Sequence, residues 1–130
     1  MKINLKHSLV QGSGAYDNII QAIKEINKEK IVDIIIIARG GGSLDDLMPF
    51  NDESVVREIF KSKIPIITAI GHETDFTLSD FVSDKRAATP SEAAEICAPD
   101  IESLYKKIDS FEDKILSINM DINNEVESVI

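Results

Sequence analysis

The sequence has a single cysteine, Cys97, no tryptophan, and fewer basic than acidic residues, 14 against 23. One cysteine excludes an internal disulfide, and within the helix-like run SEAAEIC it reads as a small core residue. The shortage of Lys and Arg leaves a net charge of −9, which argues against a generic nucleic-acid binder, because phosphates must be met by cations. Long apolar runs are also missing, so no segment is expected to span a bilayer and no membrane partner is implied. The first residues, MKIN, lack the charge-then-apolar pattern of a secretory signal, and a cytoplasmic location is the default expectation.

What is present fits about one domain with a modest core in 130 residues. The charge is uneven: residues 99–130 hold eight acids and three bases, and residues 1–98 hold fifteen acids and eleven bases. A small cationic site can therefore survive in the first part. INLKHSLVQG, residues 3–12, alternates partially and ends at Gly12 and Gly14, which predicts a short strand and a turn. AYDNIIQAIKEINK places Ile19, Ile20, Ile23 and Ile26 at helical spacing. VDIIIIA, residues 32–38, is β-branched and continuously apolar, the pattern of a parallel strand buried on both faces. ESVVREIFKSK reads as a helix, and Pro65 opens a second buried strand, PIITAIG. Alternating strands and helices predict an α/β fold with a small, doubly wound, mainly parallel sheet and flanking helices.

Two further helix starts are explicit, TLSD at residues 77–80 and TPSE at residues 89–92, each with Thr at the N-cap and an acid three residues on. Pro90 at the first helical position strengthens the second. Beyond Pro99 the pattern changes. Ile101, Leu104, Ile108, Phe111, Ile115, Ile118 and Ile122 alternate by three and four, the heptad rhythm of a coiled coil. Glu125 interrupts it and Val126 resumes, like a stutter. A helix of these residues would be roughly 48 Å long. It reaches Ile130 without a glycine cap, so the expectation is a fragment whose parent continues the helix. Residues 1–98 are therefore read as an α/β catalytic-core unit and 99–130 as the start of a long heptad helix.

Both apolar strands end in a glycine loop with polar residues, and in a doubly wound sheet ligands bind beyond the carboxyl ends of the strands. The first loop is Arg39-Gly40-Gly41-Gly42-Ser43. Its bare backbone can turn successive N–H groups toward an anion, Ser43 can cap a following helix, and Arg39 offers a bidentate phosphate fork. A tight strand-to-helix turn with Arg39 in a surface ion pair is the alternative. The loop lacks the GK[ST] ending of a Walker A motif, and it is no G-x-S-x-G elbow. The second loop is Gly71-His72-Glu73-Thr74-Asp75. Histidine is the side chain suited to proton transfer near neutral pH, and Asp75 is near enough in sequence to orient His72. His7, in the predicted early strand without polar neighbours, is read as structural. Asp45, Asp46, Asp52 and Glu53 would suit Mg²⁺ in principle, but helix-start roles are preferred and no metal ligand is assigned.

The segments VQGSGA, IIIIARGGGSLDDLMPFNDE and IPIITAIGHETDFTLSDFVSDKRAATPSEAAE together resemble the catalytic region of the exodeoxyribonuclease VII large-subunit family over roughly residues 8–97. The resemblance implies an enzyme that degrades single-stranded DNA from either end to oligonucleotides and nucleoside 5′-phosphates, working with several copies of a small helical subunit. It implies catalytic roles for Arg39, His72 and Asp75, and no required metal or other cofactor. Helix–helix association is expected through residues 101–129. Two positions depart from the family pattern: Met48 stands where Trp is usual, and Ala88 where Pro is usual, which is expected only to loosen the approach to the TPSE helix. An OB-fold for single strands and a Gly-Ala-Ala segment with a further catalytic Asp are also implied, and neither occurs in these residues. Two readings of another class remain: a phosphate- or nucleotide-binding module, or an assembly module, without turnover in isolation.

Overall fold

A computed structural model describes residues 2–40, 44–98 and 100–130, with the side chains of Leu44 and Asp45 excepted. Two compact units divide the chain at residues 97 and 98.

The first unit is α/β. Helix α1 (Ala15–Glu29) leads to strand β1 (Ile35–Ala38), then to a 3-10 helix (Leu44–Asn51) and helix α2 (Glu53–Lys61). Strand β2 (Ile66–Ala69), helix α3 (Leu78–Val82), strand β3 (Lys85–Arg86) and helix α4 (Pro90–Cys97) complete it. The sheet is parallel throughout, in the order β1-β2-β3, with Ile35 opposite Ile66, Ala38 opposite Ala69 and Thr68 opposite Arg86.

Alternation along β2 explains the layers. Ile66 and Ile70 belong to the larger core with Ile19 and Ile23 of α1, Phe50, and Val55 and Ile59 of α2. Ile67 and Ala69 point the other way and pack with Ala87 and Ala93, with Cys97 half-buried against them. Both faces of β2 are thus covered, and all four of its residues are buried.

β1 differs from expectation. Its residues read as buried on both faces, yet Ile34 is 41% exposed and Ile36 40% exposed, while Ile35 is buried. The regular strand is only four residues long and sits at the sheet edge, so the cover that β2 enjoys on its second face does not extend over it. The predicted strand over residues 3–12 is also absent. Residues 2–10 are irregular, Ile3 and Leu5 are largely exposed, and His7 is exposed rather than structural. Alternation alone does not hold a strand; its backbone must pair, and among the described residues nothing pairs with the outer edge of β1. The turn does form. Gly12 and Gly14 take φ of 81° and 86°, left-handed values that a side chain would resist, and Gly14 is the N-cap of α1.

Both Thr-led helix starts form. At α3, Thr77 and Asp80 make a reciprocal capping box. At α4, Glu92 N–H donates to Thr89 Oγ1 (3.1 Å), but the Glu92 carboxylate accepts from Ala88 N–H (2.7 Å) instead of closing on the cap residue. Ala88 therefore tightens this approach through an N–H that proline lacks, contrary to the loosening expected. Asn27, at the end of α1, was not singled out by sequence. Its amide donates to Ile23 O (2.9 Å) and Ser62 Oγ (3.0 Å), and its carbonyl accepts from Lys63 N–H (2.9 Å), tying α1 to the α2–β2 turn.

The second unit is helix α5 (Ile101–Val129), 29 residues and about 43 Å long, with Asp100 capping it through Glu102 N–H (3.1 Å). None of its residues is buried, and the heptad positions Ile101, Leu104, Ile108, Phe111, Ile115, Ile118, Ile122 and Val126 are all exposed. Among the described residues, no helix is long and apolar enough to cross a membrane.

Candidate active site

Parallel pairing decides where the two loops meet. Ala38 and Ala69 are partners at the ends of adjacent strands, and Arg39 N–H donates to Ala69 O (3.2 Å). The chain then leaves β1 into Arg39 and Gly40, and leaves β2 into Ile70, Gly71 and His72, at the same end of the sheet. This is the carboxyl end, where α/β sheets present ligand sites.

Arg39 is largely buried, 9% exposed, and its Nε donates to Gly40 O (3.0 Å). That bond holds the largely buried guanidinium stem against the Gly40 carbonyl. The expected phosphate residues Gly41, Gly42 and Ser43 lie outside the described residues. The element that follows, where a helix start was expected, is a 3-10 helix with Pro49 inside it. Its hydrogen bonds are less well aligned than an α-helix's, so it adds less dipole to the loop.

In the second loop the backbone folds tightly. Asp75 N–H donates to His72 O (3.0 Å), closing a turn over Glu73 and Thr74. Gly71 is buried beneath it, and a Cβ there would lie 2.1 Å from the Asp75 carbonyl oxygen, so only glycine fits. The turn brings His72 Nδ1 to 3.9 Å from Asp75 Oδ2. This is within ion-pair range but too long for a hydrogen bond. The His72 side chain is 79% exposed and that of Asp75 32% exposed. An imidazole open to solvent, backed by a half-buried carboxylate, can take up or release a proton at a bound phosphate. Glu73 is exposed beside them.

Two of the other acids, Asp52 and Glu53, have local structural partners. Asp52 is the N-cap of α2 and accepts from Ser54 N–H (2.9 Å) and from the Ser54 hydroxyl. The Ser54 hydroxyl bond, with the Ser54 and Val55 amides, holds its carboxyl below the ordinary aspartate value despite slight desolvation. Glu53 begins α2 and accepts from Arg57 Nε (2.7 Å). Among the described residues, no three His, Cys, Asp or Glu side chains gather to share a cation.

Sequence reading did not single out Arg86. It stands on β3 and reaches across to the second loop, where Nη2 donates to His72 O (2.6 Å). Its guanidinium lies 3.9 Å above the centre of the Phe76 ring, which stacks on Phe81 at 6.0 Å. No local motif marks this role, because fourteen residues separate donor and acceptor.

Comparison with known proteins adds the lineage. The family model "Exonuclease VII, large subunit" matches residues 1–128. The chain is 58% identical over 108 residues to the exodeoxyribonuclease 7 large subunit of Clostridium tetani, covering 83% of this chain and 27% of that protein. It is 53% identical over 110 residues to the one from Caldanaerobacter subterraneus, covering 85% and 27%. The protein of the same name from Bacillus thuringiensis is 55% identical over 100 residues, covering 77% and 22%. The chain thus spans about a quarter of the length of the curated relatives it matches. With a match over nearly all of its residues, this chain belongs to the exonuclease VII large-subunit family.

Proposed function

We propose that these residues are part of the catalytic region of a cytoplasmic exodeoxyribonuclease that hydrolyses single-stranded DNA from either end to oligonucleotides and nucleoside 5′-phosphates. The observation that carries the reading is the meeting of Arg39-Gly40 and the His72–Asp75 turn at one end of paired strands. Membership of a family whose relatives bear the exodeoxyribonuclease name supports it.

Nucleoside 5′-phosphate products require that the P–O3′ bond break. Arg39, with the amides of Gly40, Gly41 and Gly42 and the hydroxyl of Ser43, would hold the phosphate and offset the charge that grows on its oxygens. His72, steadied by Asp75, would take a proton from the attacking water or supply one to the leaving 3′-oxygen. The other transfer, accepting the water's proton or protonating the 3′-oxygen, would fall to a group outside these residues. The chemistry as drawn requires no metal or other cofactor. Several copies of a small helical subunit would complete the enzyme, with the exposed apolar stripe of α5, residues 101–129, as the surface for helix–helix association.

The test uses the full-length protein with its small subunits, measuring acid-soluble release from labelled single-stranded DNA in EDTA. Release by the native enzyme and at least a hundredfold less by His72→Ala is expected, on the order of what a general acid or base supplies. Equal release by both removes His72 from the chemistry and leaves the loops as a phosphate-binding module. Release only after Mg²⁺ is added refutes the metal-free mechanism.

A further inference from the structure

We infer that Arg86 is a positioning residue for His72: its guanidinium holds the backbone carbonyl of the residue that bears the imidazole. The inference rests on the reading of His72 given above and extends it to a residue on another strand.

The anchoring is firm at both ends. Arg86 pairs with Thr68 in the sheet, and the next residue, Ala87, donates its N–H to Thr68 O (2.8 Å). From this fixed backbone Nη2 reaches His72 O at 2.6 Å, a short, charge-assisted bond to the same oxygen that accepts Asp75 N–H at 3.0 Å. One carbonyl thus gathers both the turn that sets the His72–Asp75 spacing and the cation that ties it to the sheet. Phe76, directly after the turn, lies under the guanidinium at 3.9 Å. Thr77 is fixed in its turn by Asp80 Oδ2, which accepts from Thr77 N–H (2.8 Å) and Oγ1 (3.0 Å).

The bond to His72 O lies at the exposed end of the loop, but the guanidinium reaches it from a largely covered position. The side chain of Arg86 is 18% exposed and that of Asp80 only 1%. Arg86 Nε stands 3.8 Å from Asp80 Oδ2, beyond hydrogen-bond reach, and Nε and Asp80 Oδ1 are buried without a hydrogen-bond partner among the described residues. A buried cation that leaves one donor unmet is expensive to keep. Had the pair been selected for stability alone, a closer Arg86–Asp80 fork would be the better solution. The short bond goes instead to the peptide oxygen of His72.

The chemical consequence is geometric. A histidine on a turn has its backbone free to swing, and proton transfer at a phosphate tolerates little displacement. Arg86 and the Asp75 amide together fix the carbonyl side of the His72 peptide while leaving the ring open to solvent.

The experiment measures kcat and KM on single-stranded DNA for the full-length enzyme with its small subunits, in native, Arg86→Gln, Arg86→Lys, His72→Ala and His72→Ala/Arg86→Gln forms. Arg86→Gln is expected to lower kcat by about 10- to 100-fold with KM changed less than about threefold. Arg86→Lys, which keeps a charged donor without the planar fork, is expected to recover part of that loss. In the His72→Ala background the second substitution is expected to cost less than about threefold, because residues acting as a unit are non-additive. Equal losses in both backgrounds, or an effect on KM alone, would overturn the inference and move Arg86 to the DNA or to general stability. If His72→Ala itself leaves kcat unchanged, the parent reading of His72 fails instead. A folding defect is separated by amide hydrogen exchange at Asp75 in the Arg86→Gln enzyme: faster exchange there, with core amides of β2 unchanged, is expected, and unchanged exchange at Asp75 refutes the anchoring.

Discussion

Gly71→Ala tests the geometry of the second loop most directly. The new Cβ would sit 2.1 Å from Asp75 O, 3.1 Å from Asp75 C and 3.2 Å from Asp75 Cβ. The obstructing atoms are mainly backbone, so no side-chain rotation relieves the clash. The Asp75 peptide must retreat by about 1 Å, a displacement that can cost on the order of 100-fold in rate when it falls between reacting groups. It would carry along the Asp75 N–H bond to His72 O and the 3.9 Å separation of Asp75 Oδ2 from His72 Nδ1. Overpacking at a buried site adds about 1–3 kcal/mol of destabilisation. The assay is single-turnover cleavage of labelled single-stranded DNA by the full-length enzyme with its small subunits, beside urea denaturation of the same protein. A loss of kcat of about 100-fold with the fold retained is expected. Cleavage within about threefold of native would show that the His72–Asp75 spacing is not what limits the reaction, and the argument from the turn would fail.

Other substitutions probe the frame. Ser79→Ala removes the donor to Phe50 O (2.6 Å) at a fully buried position, and a loss of about 1–3 kcal/mol in urea denaturation is expected from the unmet carbonyl. Asn27→Ala cuts one bond within α1 and two between α1 and the α2–β2 turn; a loss of about 2 kcal/mol and faster amide exchange at Lys63 are expected. Asp52→Ala removes the α2 cap and is expected to cost about 1 kcal/mol at neutral pH. Because the folded-state value of Asp52 is lowered, its contribution is complete above the ordinary value of 3.8 and fades as pH falls through the lower folded value. The Asp52→Ala and native stability curves should therefore converge in that acidic range, and a gap that persists there would contradict the cap assignment. Ile108→Asp places a charge in the exposed apolar stripe of α5 and is expected to abolish helix–helix association in sedimentation velocity while leaving the thermal unfolding of the α/β unit unchanged.

Local rules carried much of the architecture. The helices α1 and α5 follow from apolar spacing and α2 and α4 from caps a few residues away, and each of these patterns lies within its own segment. The same holds for the Thr77–Asp80 box. The chemical loops were visible because glycine and a charged residue at the end of an apolar strand are a local pattern. Strand status was less legible, since it depends on a partner. Residues 3–12 alternate like a strand and remain unpaired, and Ile36 looks like a core residue and is exposed at an edge.

The sequence by itself determined the α/β class, the glycine loops after two apolar strands and the heptad rhythm of the final helix, because each depends on residues close together along the chain. Tertiary structure decided that Ala38 lies beside Ala69, so that Arg39 and His72 leave the sheet at one end. It also decided that a Cβ at Gly71 would collide with Asp75 and that Arg86 holds the His72 carbonyl. These are distances between atoms that the parallel register and the loop's own fold bring together, and no periodicity along the chain encodes them.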